Sequence, residues 1–304
     1  MKTRQSQQIY LERINRVIDY IAEHLDEPLP LERLARLAHF SPFHFHRLFR
    51  TLVGESVHAL THRLRLEKAV FLMKHTPRTT LTRVALRCGF ASSSDFSRAF
   101  KQAYGFSPRQ FTPERFRQES KNWQDLLANT GYGFGKLPDS SNPDRFRVRL
   151  LQRPAQRVAY VRVIGTHAAE RLLAGFDQLL AWGKRHGLVP RAELLGMSED
   201  DPDITPQPKY RYDFCLVLPP EFSPGRDISV RTLPAGQFAA LHCRGDIHQL
   251  DRAWNYLFRV WLPASGHQPR HRPAMEVYRT SPADIGWSLF DIDCLVPVTP
   301  LGLR

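Results

Sequence analysis

The sequence has few cysteines and no long apolar run. Its cysteines stand far apart and form no C-x-x-C pair: Cys88, Cys215, Cys243 and Cys294. Isolated cysteines usually pack as small, reduced hydrophobes. No apolar stretch is long enough to cross a bilayer, and the amphipathic N-terminus has no signal-peptide core. We therefore expect a cytoplasmic protein with no membrane partner.

The common short signatures of hydrolases, zinc proteases and nucleotide-binding enzymes are also missing. There is no G-x-S-x-G, no H-E-x-x-H and no phosphate-binding loop. Four histidines of the second half are scattered through predicted loops and strands: His242, His248, His267 and His271. Lone histidines in such places are more often solvated than catalytic. We expect no catalytic residues, no metal site and no cofactor.

Acidic residues are in the minority, and the imbalance is uneven along the 304 residues. The chain has 43 lysines and arginines against 30 acidic residues, a net charge of +13. Residues 1–120 account for 20 basic and 11 acidic side chains, a net charge of +9, and the remainder for only +4. The N-terminal part is thus the electrostatic candidate for binding a polyanion.

The chain divides into two segments of different character. Residues 8–117 have apolar residues at helical spacing almost throughout, whereas 146–298 consist of short β-rich runs interrupted by helical stretches at 168–186 and 247–262. Between them, glycine, proline and polar residues cluster as in a linker. The predicted domains are residues 1–121, a linker at 122–145, and residues 146–304.

The N-terminal half contains an internal repeat. The stretch "LARLAHFS" followed by "FHFHRLFRTLVG" aligns with "VALRCGFASSSDFSRAFKQAYG", so that Ala35 matches Ala85 and Phe40 matches Phe90. Each copy reads as a short helix, a tight turn and a second helix. This order is typical of a helix-turn-helix unit, and the sequence predicts two of them.

The stretch "HFSPFHFHRLFR" brings three histidines close together and raises the question of a metal site. Ser41 suits the cap and Pro42 the first position of a helix over 42–52. One stripe of that helix is apolar: Phe45, Leu48, Phe49 and Leu52. The opposite side carries a different set: Phe43, His46, Arg47 and Arg50. Because His44 and His46 point apart on a helix, chelation is disfavoured, and a solvated basic face or a DNA-reading face remains.

The second repeat places a similar face on its own second helix, which Ser92 can cap. The outward residues are polar or basic, with Ser93 at the entry: Ser94, Ser97, Arg98 and Lys101. A predicted helix over 57–74 joins the two units, and its length of about 27 Å is close to one DNA turn of about 34 Å. One chain could therefore reach two successive major grooves.

The stretch "VALRCGFASSSDFSRAFKQAYGFSPRQF" resembles the signature of AraC/XylS-type transcription regulators. The resemblance covers about 8–117 and implies a seven-helix domain with two helix-turn-helix units. It also implies base-contacting positions at Phe43, His46 and Arg47, and at Ser93, Ser94, Ser97 and Arg98. Val57 and Leu60 stand where the family usually has a proline and an aromatic residue. These departures concern the linking helix and leave the two outward faces intact.

The C-terminal half is also internally similar. "VRLLQRPAQRVAYVRVIG" resembles "VRTLPAGQFAALHCRG", and in each case a helix and two further strands follow. Two copies of strand-strand-helix-strand-strand would form a sheet of about eight strands with two helices on it, related by a pseudo-two-fold axis. The fold class is therefore α + (α+β), and a cleft along the axis would be a natural ligand site.

One strand of this half is a candidate for lining the cleft. In "AMEVYRT", Glu276 and Tyr278 share a face, because side chains alternate along a strand. A carboxylate beside an aromatic ring suits an organic cation, although a surface glutamate beside a half-buried tyrosine is the plainer interpretation. Four further aromatic residues are candidates for cleft or core: Trp182, Tyr212, Trp254 and Trp287.

The stretches "MSEDDPDITPQPKYRYDFCLVLP", "WLPASGHQPRHRPAMEVYRTSP" and "WSLFDIDCLVPV" resemble the GyrI-like domain that is attached to some AraC-type regulators. The resemblance covers about 145–300. It implies that Glu276 sits in a central pocket and that the ligand is a small amphipathic molecule, often cationic. In some relatives the corresponding glutamate hydrolyses reactive small molecules.

Three hypotheses of function follow. The first is a ligand-responsive transcription regulator, whose partners are double-stranded promoter or operator DNA, a small-molecule effector and RNA polymerase. The second is a hydrolase tethered to DNA that uses Glu276 as a general base. The third is an architectural or partner-binding protein that binds DNA and has an inert C-terminal domain.

Overall fold

The computed structural model describes residues 2–76, 78–119, 142–166, 168–201 and 204–301. The described part of the N-terminal half is helical, in close agreement with the sequence pattern. Its helices are α1 (Lys2–Glu23), α2 (Leu31–Leu37), α3 (Pro42–Val53), α4 (Val57–His75), α5 (Leu81–Arg87), α6 (Ser93–Tyr104) and α7 (Pro113–Glu119), with a 3₁₀ turn at Pro108–Gln110 before α7.

Helices α3 and α6 begin and end in the same way. The Ser41 hydroxyl accepts a hydrogen bond from the backbone N–H of His44, and the Ser92 hydroxyl accepts one from that of Asp95. Both helices end at a glycine with positive φ, 82° at Gly54 and 87° at Gly105, a conformation that favours glycine. These signals bound each helix at 12 residues, and both predicted serine caps are confirmed.

The apolar stripes of these helices form the cores of the two helix-turn-helix motifs. Phe45 and Phe49 of α3 are fully buried, as are Phe96 and Phe100 of α6. The linking helix α4 is buried on several sides rather than along one stripe, because it packs against both motifs. Burying a phenylalanine side chain contributes about 1.5–3 kcal/mol, so each pair anchors its helix firmly.

The C-terminal half is built on one antiparallel sheet. Its strands are β1 (Val148–Arg153), β2 (Gln156–Ile164), β3 (Leu194–Ser198), β4 (Arg211–Val217), β5 (Ser229–Leu233), β6 (Gly236–Gly245), β7 (His267–Pro269), β8 (Ala274–Tyr278) and β9 (Phe290–Pro300). The helices are α8 (Ala169–Arg185), α9 (Ile247–Asn255), which continues as a π-helical turn over Tyr256–Trp261, and the short α10 (Leu262–Ala264) and α11 (Pro282–Ile285).

The strand order is β1-β6-β9-β8-β3-β4-β2-β5, with β7 paired to β9. Apart from β7, the β8–β3 pairing divides the order into two halves of four strands each, and the two halves correspond strand for strand. Two copies related by a pseudo-two-fold axis would have this order, although the duplication itself stays a prediction. A helical N-terminal region followed by an antiparallel sheet with helices confirms the fold class. The short strand β7 follows Gly266 and ends at Pro269.

Two compact units are present, and they do not follow the chain in simple order. The first consists of Met1–Leu126 together with Asp201–Lys209 and Gly225–Ser229, and the second of the remaining residues. Most of the predicted linker at 122–145 lies outside the described residues. Over the parts of the chain that the structure describes, no helix is both long and apolar enough to cross a membrane.

Candidate functional site

The outward side of α3 carries the residues that the sequence predicts to contact DNA. Phe43 is 69% exposed although it is a large apolar side chain, and His46, Arg47 and Arg50 are exposed as well. The Arg47 guanidinium lies 6.0 Å from the centre of the Phe43 ring. His46, Arg47 and Arg50 line a shallow open depression. This face therefore combines hydrogen-bond donors with an exposed aromatic ring and is opposite the buried stripe.

The corresponding face of α6 is more polar and partly engaged in local contacts. Ser94, Arg98 and Lys101 are exposed, whereas Ser93 and Ser97 are half-buried. The Ser97 hydroxyl donates a hydrogen bond to the Ser93 carbonyl at 2.7 Å. The Arg98 side chain remains 78% exposed beside Asp95, at 3.7 Å. Arg98 and Lys101 are thus exposed enough to contact a ligand. Ser97 already donates its hydroxyl hydrogen to Ser93, so it can act toward a ligand mainly as a hydrogen-bond acceptor.

The histidines at the start of α3 have local partners. The Ser41 hydroxyl lies 2.9 Å from Nδ1 of His44, so the first of the two helical histidines is held at the helix cap. His46 points to the exposed face described above. Among the described residues, no three or more histidine, cysteine, aspartate or glutamate side chains are grouped so that they could hold a metal ion.

In the second unit, Glu276 is the centre of a hydrogen-bonded aromatic cluster. The Tyr212 hydroxyl donates to its carboxylate at 2.5 Å and lies 3.3 Å from the Tyr278 hydroxyl. The side chains of Trp254 and Tyr278 also lie beside the Glu276 carboxyl group and favour its charged form. These four residues come from β4, β8 and α9, so the tertiary fold brings together most of the candidates that were predicted separately.

Burial dominates the electrostatics of this cluster. It raises the pKa of Glu276 above its ordinary value, although hydrogen bonds from Tyr212, Trp254 and Tyr278 act in the opposite direction. Burial and the neighbouring carboxylate both raise the pKa of Tyr212 and that of Tyr278. The tyrosines are therefore neutral donors, and the carboxylate is the group whose charge can change.

Gly196, Phe176 and Phe214, which the sequence did not single out, complete this cluster. Gly196 of β3 pairs directly with Glu276, and a Cβ atom on it would lie 1.8 Å from the Tyr212 hydroxyl oxygen. Trp287 packs against Phe176 and Phe214, with ring centres 4.9 and 6.3 Å apart, and Tyr212 packs against Phe214 at 4.9 Å. A glycine inside a strand is a signal for close approach of another group, and it could have marked Gly196.

Trp182 does not join this cluster. It is 1% exposed and packs against His186 and Phe222, with ring centres 4.7 and 5.9 Å away. Its position on α8, six residues beyond Phe176, places it in a separate core contact. Of the aromatic candidates, the structure thus brings Tyr212, Tyr278 and Trp254 to Glu276, links Trp287 through Phe214, and leaves Trp182 aside.

The helix that carries Trp254 is irregular just beyond that residue. The α-helical pattern of α9 ends at Asn255 and is followed by a π-helical turn over Tyr256–Trp261. Such turns are rare and occur frequently at functional sites, where they change the direction in which side chains point. The predicted helix over 247–262 is thus interrupted next to Trp254.

Each half of the chain matches a known protein family. Residues 146–298 match the GyrI-like small molecule binding domain, and residues 34–114 match a helix-turn-helix domain family. A DNA gyrase inhibitor from Serratia proteamaculans is 31% identical over 48% of this chain and 94% of its own length. The probable transcriptional regulator LumQ from Photobacterium leiognathi is 35% identical over 33% of this chain.

The coverage of these relatives differs. The match spans nearly all of the gyrase inhibitor but only 41% of LumQ. Among solved structures, the DNA-binding domain of AdpA, determined in complex with a target DNA, is 30% identical over 35% of this chain and 95% of that chain, with a TM-score of 0.33.

Proposed function

Because the chain belongs to the GyrI-like small-molecule-binding family and carries an AraC-type helix-turn-helix domain, it is a DNA-binding regulator with an effector-binding domain, and we propose that its effector is an amphipathic organic cation held at Glu276. Further proposals concern the DNA contacts and the partners. The residue boundaries of the two domains and of the linker also stay proposals.

The environment of Glu276 is the observation that carries the effector proposal. The carboxylate is surrounded by the hydroxyl groups of Tyr212 and Tyr278 and by Trp254, and no positively charged side chain of the described residues pairs with it. A half-buried carboxylate without a counter-ion is costly, and a cation that entered the pocket would offset that cost. Aromatic faces add a further attraction for organic cations, up to about 2 kcal/mol when water is excluded.

The outward faces of α3 and α6 support a mode of operator binding. We expect Arg47 and Arg98 to hydrogen-bond guanine edges, since arginine is suited to bidentate contact with that base. Phe43 and His46 on α3, and Ser93, Ser94 and Ser97 on α6, lie on the same faces. Arg50 and Lys101, at the edges, would contact phosphates and provide affinity rather than sequence preference.

The effector is expected to change either the affinity for DNA or a contact with RNA polymerase, which we propose as a third partner. Either effect requires that the ligand bind two states of the protein unequally. We propose a binding rather than a catalytic role for Glu276, in keeping with relatives that are named as regulators. Incubation with a candidate ligand should therefore return it chemically unchanged.

A stability measurement on the full chain tests the effector proposal. Tetraphenylphosphonium serves as the probe, and triphenylphosphine oxide as a neutral control with similar rings. At about 100 times its Kd, a ligand that binds only the folded state stabilises by about 2.7 kcal/mol. We expect this gain in the wild type and in Glu170→Gln, which changes an exposed carboxylate on α8, and its loss in Glu276→Gln. Equal stabilisation of Glu276→Gln would remove this residue from the site.

A further inference from the structure

A segment that lies within the GyrI-like region of the sequence belongs structurally to the helical unit. Residues 201–209 and 225–229 fall inside the 146–298 match, yet they group with Met1–Leu126 in the first compact unit. The described part of the longer segment is Asp201 and residues 204–209. The unit that carries the DNA-reading helices is thus completed by chain that is inserted between strands β3 and β4 of the sheet.

The segment contributes to the apolar core of the second helix-turn-helix motif. Ile204 is 3% exposed and belongs to the buried cluster that contains Leu66 of α4, Phe96 and Phe100 of α6, and Phe116 of α7. Removal of a buried isoleucine side chain from such a core typically leaves a cavity and destabilises the fold. Ile204 is therefore a structural part of the unit that holds α6 in place.

The same segment binds the acidic groups of the linking helix region. The Thr205 hydroxyl donates to Glu67, and the Lys209 ammonium lies 3.2 Å from Glu55. Arg63 connects the two carboxylates, at 2.8 Å from Glu67 and 2.7 Å from Glu55. Each acid of this Glu55–Arg63–Glu67 network thus has one partner on α4 and another on the 204–209 segment. Glu55 and Glu67 are both nearly buried, so these bonds fix α4 where it connects the two motifs.

An ion pair joins the two residues that flank the insertion, Asp200 before it and Arg211 after it. Arg211 and Asp200 are 2% and 6% exposed and form a two-pronged ion pair, with N–O distances of 2.6 and 2.9 Å. The Asp200 carboxylate also accepts the backbone N–H of Arg211 at 2.8 Å. The next residue is Tyr212, whose hydroxyl donates to Glu276. Tyr212 is therefore adjacent in the chain to the ion pair that closes the insertion.

We propose that the 204–209 segment couples the occupancy of the Glu276 pocket to the arrangement of the two helix-turn-helix motifs. The route runs from Tyr212 and Arg211 back along the chain to Lys209 and Thr205, and from there to Glu55 and to Glu67 of α4. It rests on the proposed effector site, and it adds the means by which that site reaches DNA. Because α4 fixes the separation of α3 and α6, a small change at Glu67 alters how well both helices fit successive grooves.

A double-mutant cycle in the full chain tests the coupling without any ligand. Gly196→Ala places a methyl group where the Tyr212 hydroxyl lies, and thus forces Tyr212 to move. Thr205→Val keeps the side-chain shape but removes the donor to Glu67. Binding is measured by fluorescence anisotropy with a duplex that the wild-type protein selects from a random pool. We expect Gly196→Ala to change the Kd for DNA by about threefold or more, and this effect to disappear in the Thr205→Val background.

A matched control uses another threonine that donates to a carboxylate. Thr280 donates to Asp291 at 2.8 Å, away from the proposed route, so Gly196→Ala should keep its full effect in a Thr280→Val background. Equal effects of Gly196→Ala in the wild-type and Thr205→Val backgrounds would overturn the coupling, as would a folded Gly196→Ala variant with unchanged DNA affinity. If that variant does not fold, Tyr212→Phe replaces it in the same cycle.

The mutant cycle and the tetraphenylphosphonium test can fail independently, so the coupling and the effector proposal are tested separately. A non-additive cycle in a protein that ignores tetraphenylphosphonium would retain the coupling and reject the cationic effector. Binding of tetraphenylphosphonium that depends on Glu276, together with an additive cycle, would retain the effector site and reject the coupling.

Discussion

Glu276 and Gly196 face each other directly in the pairing of β8 with β3, at the middle of the nine-stranded sheet. A Cβ atom at position 196 would lie 3.1 Å from a carboxylate oxygen of Glu276 and 1.8 Å from the Tyr212 hydroxyl oxygen. The absent side chain of Gly196 therefore provides the space in which Tyr212 reaches Glu276. The polar centre of the cluster depends on one glycine as well as on the Tyr212 donor.

Cation binding should depend on pH through Glu276. Burial raises the pKa of this carboxyl group, so the charged form is lost at a higher pH than for an exposed glutamate. We expect the affinity for tetraphenylphosphonium, whose charge does not titrate, to fall as the pH is lowered through this raised pKa. Calorimetric titration at a series of pH values measures the effect. Glu276→Gln should bind weakly at every pH, and a pH-independent wild type would contradict the assignment.

Arg47→Ala should impair recognition of a particular base. We expect a loss of about 1–3 kcal/mol on a selected duplex and a smaller loss on random duplexes, because a bidentate contact to a base edge is removed. Arg185→Ala, an exposed arginine at the end of α8, should leave DNA binding unchanged. Fluorescence anisotropy with both kinds of duplex measures the difference. An equal loss on both would identify Arg47 as a phosphate contact.

Lys101→Ala should behave differently from Arg47→Ala. A contact to phosphate carries no sequence information, so affinity should fall equally on selected and random duplexes. The slope of log K against log salt should also decrease in magnitude by about 1, since one fewer counterion is released. Titrations at several salt concentrations measure the slope. A wild-type affinity that does not respond to salt would contradict the docking of both basic faces on DNA.

The stability of the helical unit should fall in mild acid because of His75. Burial, assisted by the charge of Lys74, lowers the pKa of His75 to about 4 from 6.5. Between these values the unfolded chain binds more protons than the folded one, so stability rises with pH and is lost as the pH falls. The change is at most about 1.4 kcal/mol per pH unit. Urea unfolding at several pH values should show a smaller slope for His75→Gln, and the wild-type slope for His248→Gln, an exposed control.

Ser92→Ala should destabilise helix α6. The Ser92 hydroxyl accepts the Asp95 backbone N–H at 3.0 Å, and the loss of such a cap costs about 1 kcal/mol. Ser92→Thr keeps the acceptor and should restore most of the stability. Thermal unfolding of the three proteins provides the comparison. Equal stability of the alanine variant and the wild type would show that the cap is dispensable.

Local patterns in the sequence predicted the helical half closely. The stripe through Phe45 and Phe49 and the cap at Ser41 indicated a helix over 42–52, and the structure has it at Pro42–Val53. The helix predicted over 57–74 is found at Val57–His75. These features are set by contacts three or four residues apart, which is why a periodic pattern is sufficient to predict them.

The surroundings of Glu276 could be predicted only in part from the sequence. Alternation along "AMEVYRT" places Glu276 and Tyr278 on one face, but it does not identify the partners on other strands. Trp182 and Trp254 are both tryptophans on predicted helices, yet one packs beside Phe222 and the other lies beside Glu276. Strand register and helix placement decide between these positions, and both depend on contacts between distant parts of the chain.

By itself the sequence determined the two classes of domain, the caps and outward faces of α3 and α6, and the acidic residue at the centre of the second half. These properties depend on residue type and on short-range period, both of which can be read along the chain. Only the tertiary structure decided that Gly196 leaves space for Tyr212, and that residues 201–209 complete the helical unit. The physical reason is that both relationships join residues far apart in sequence, and packing alone specifies which of them meet.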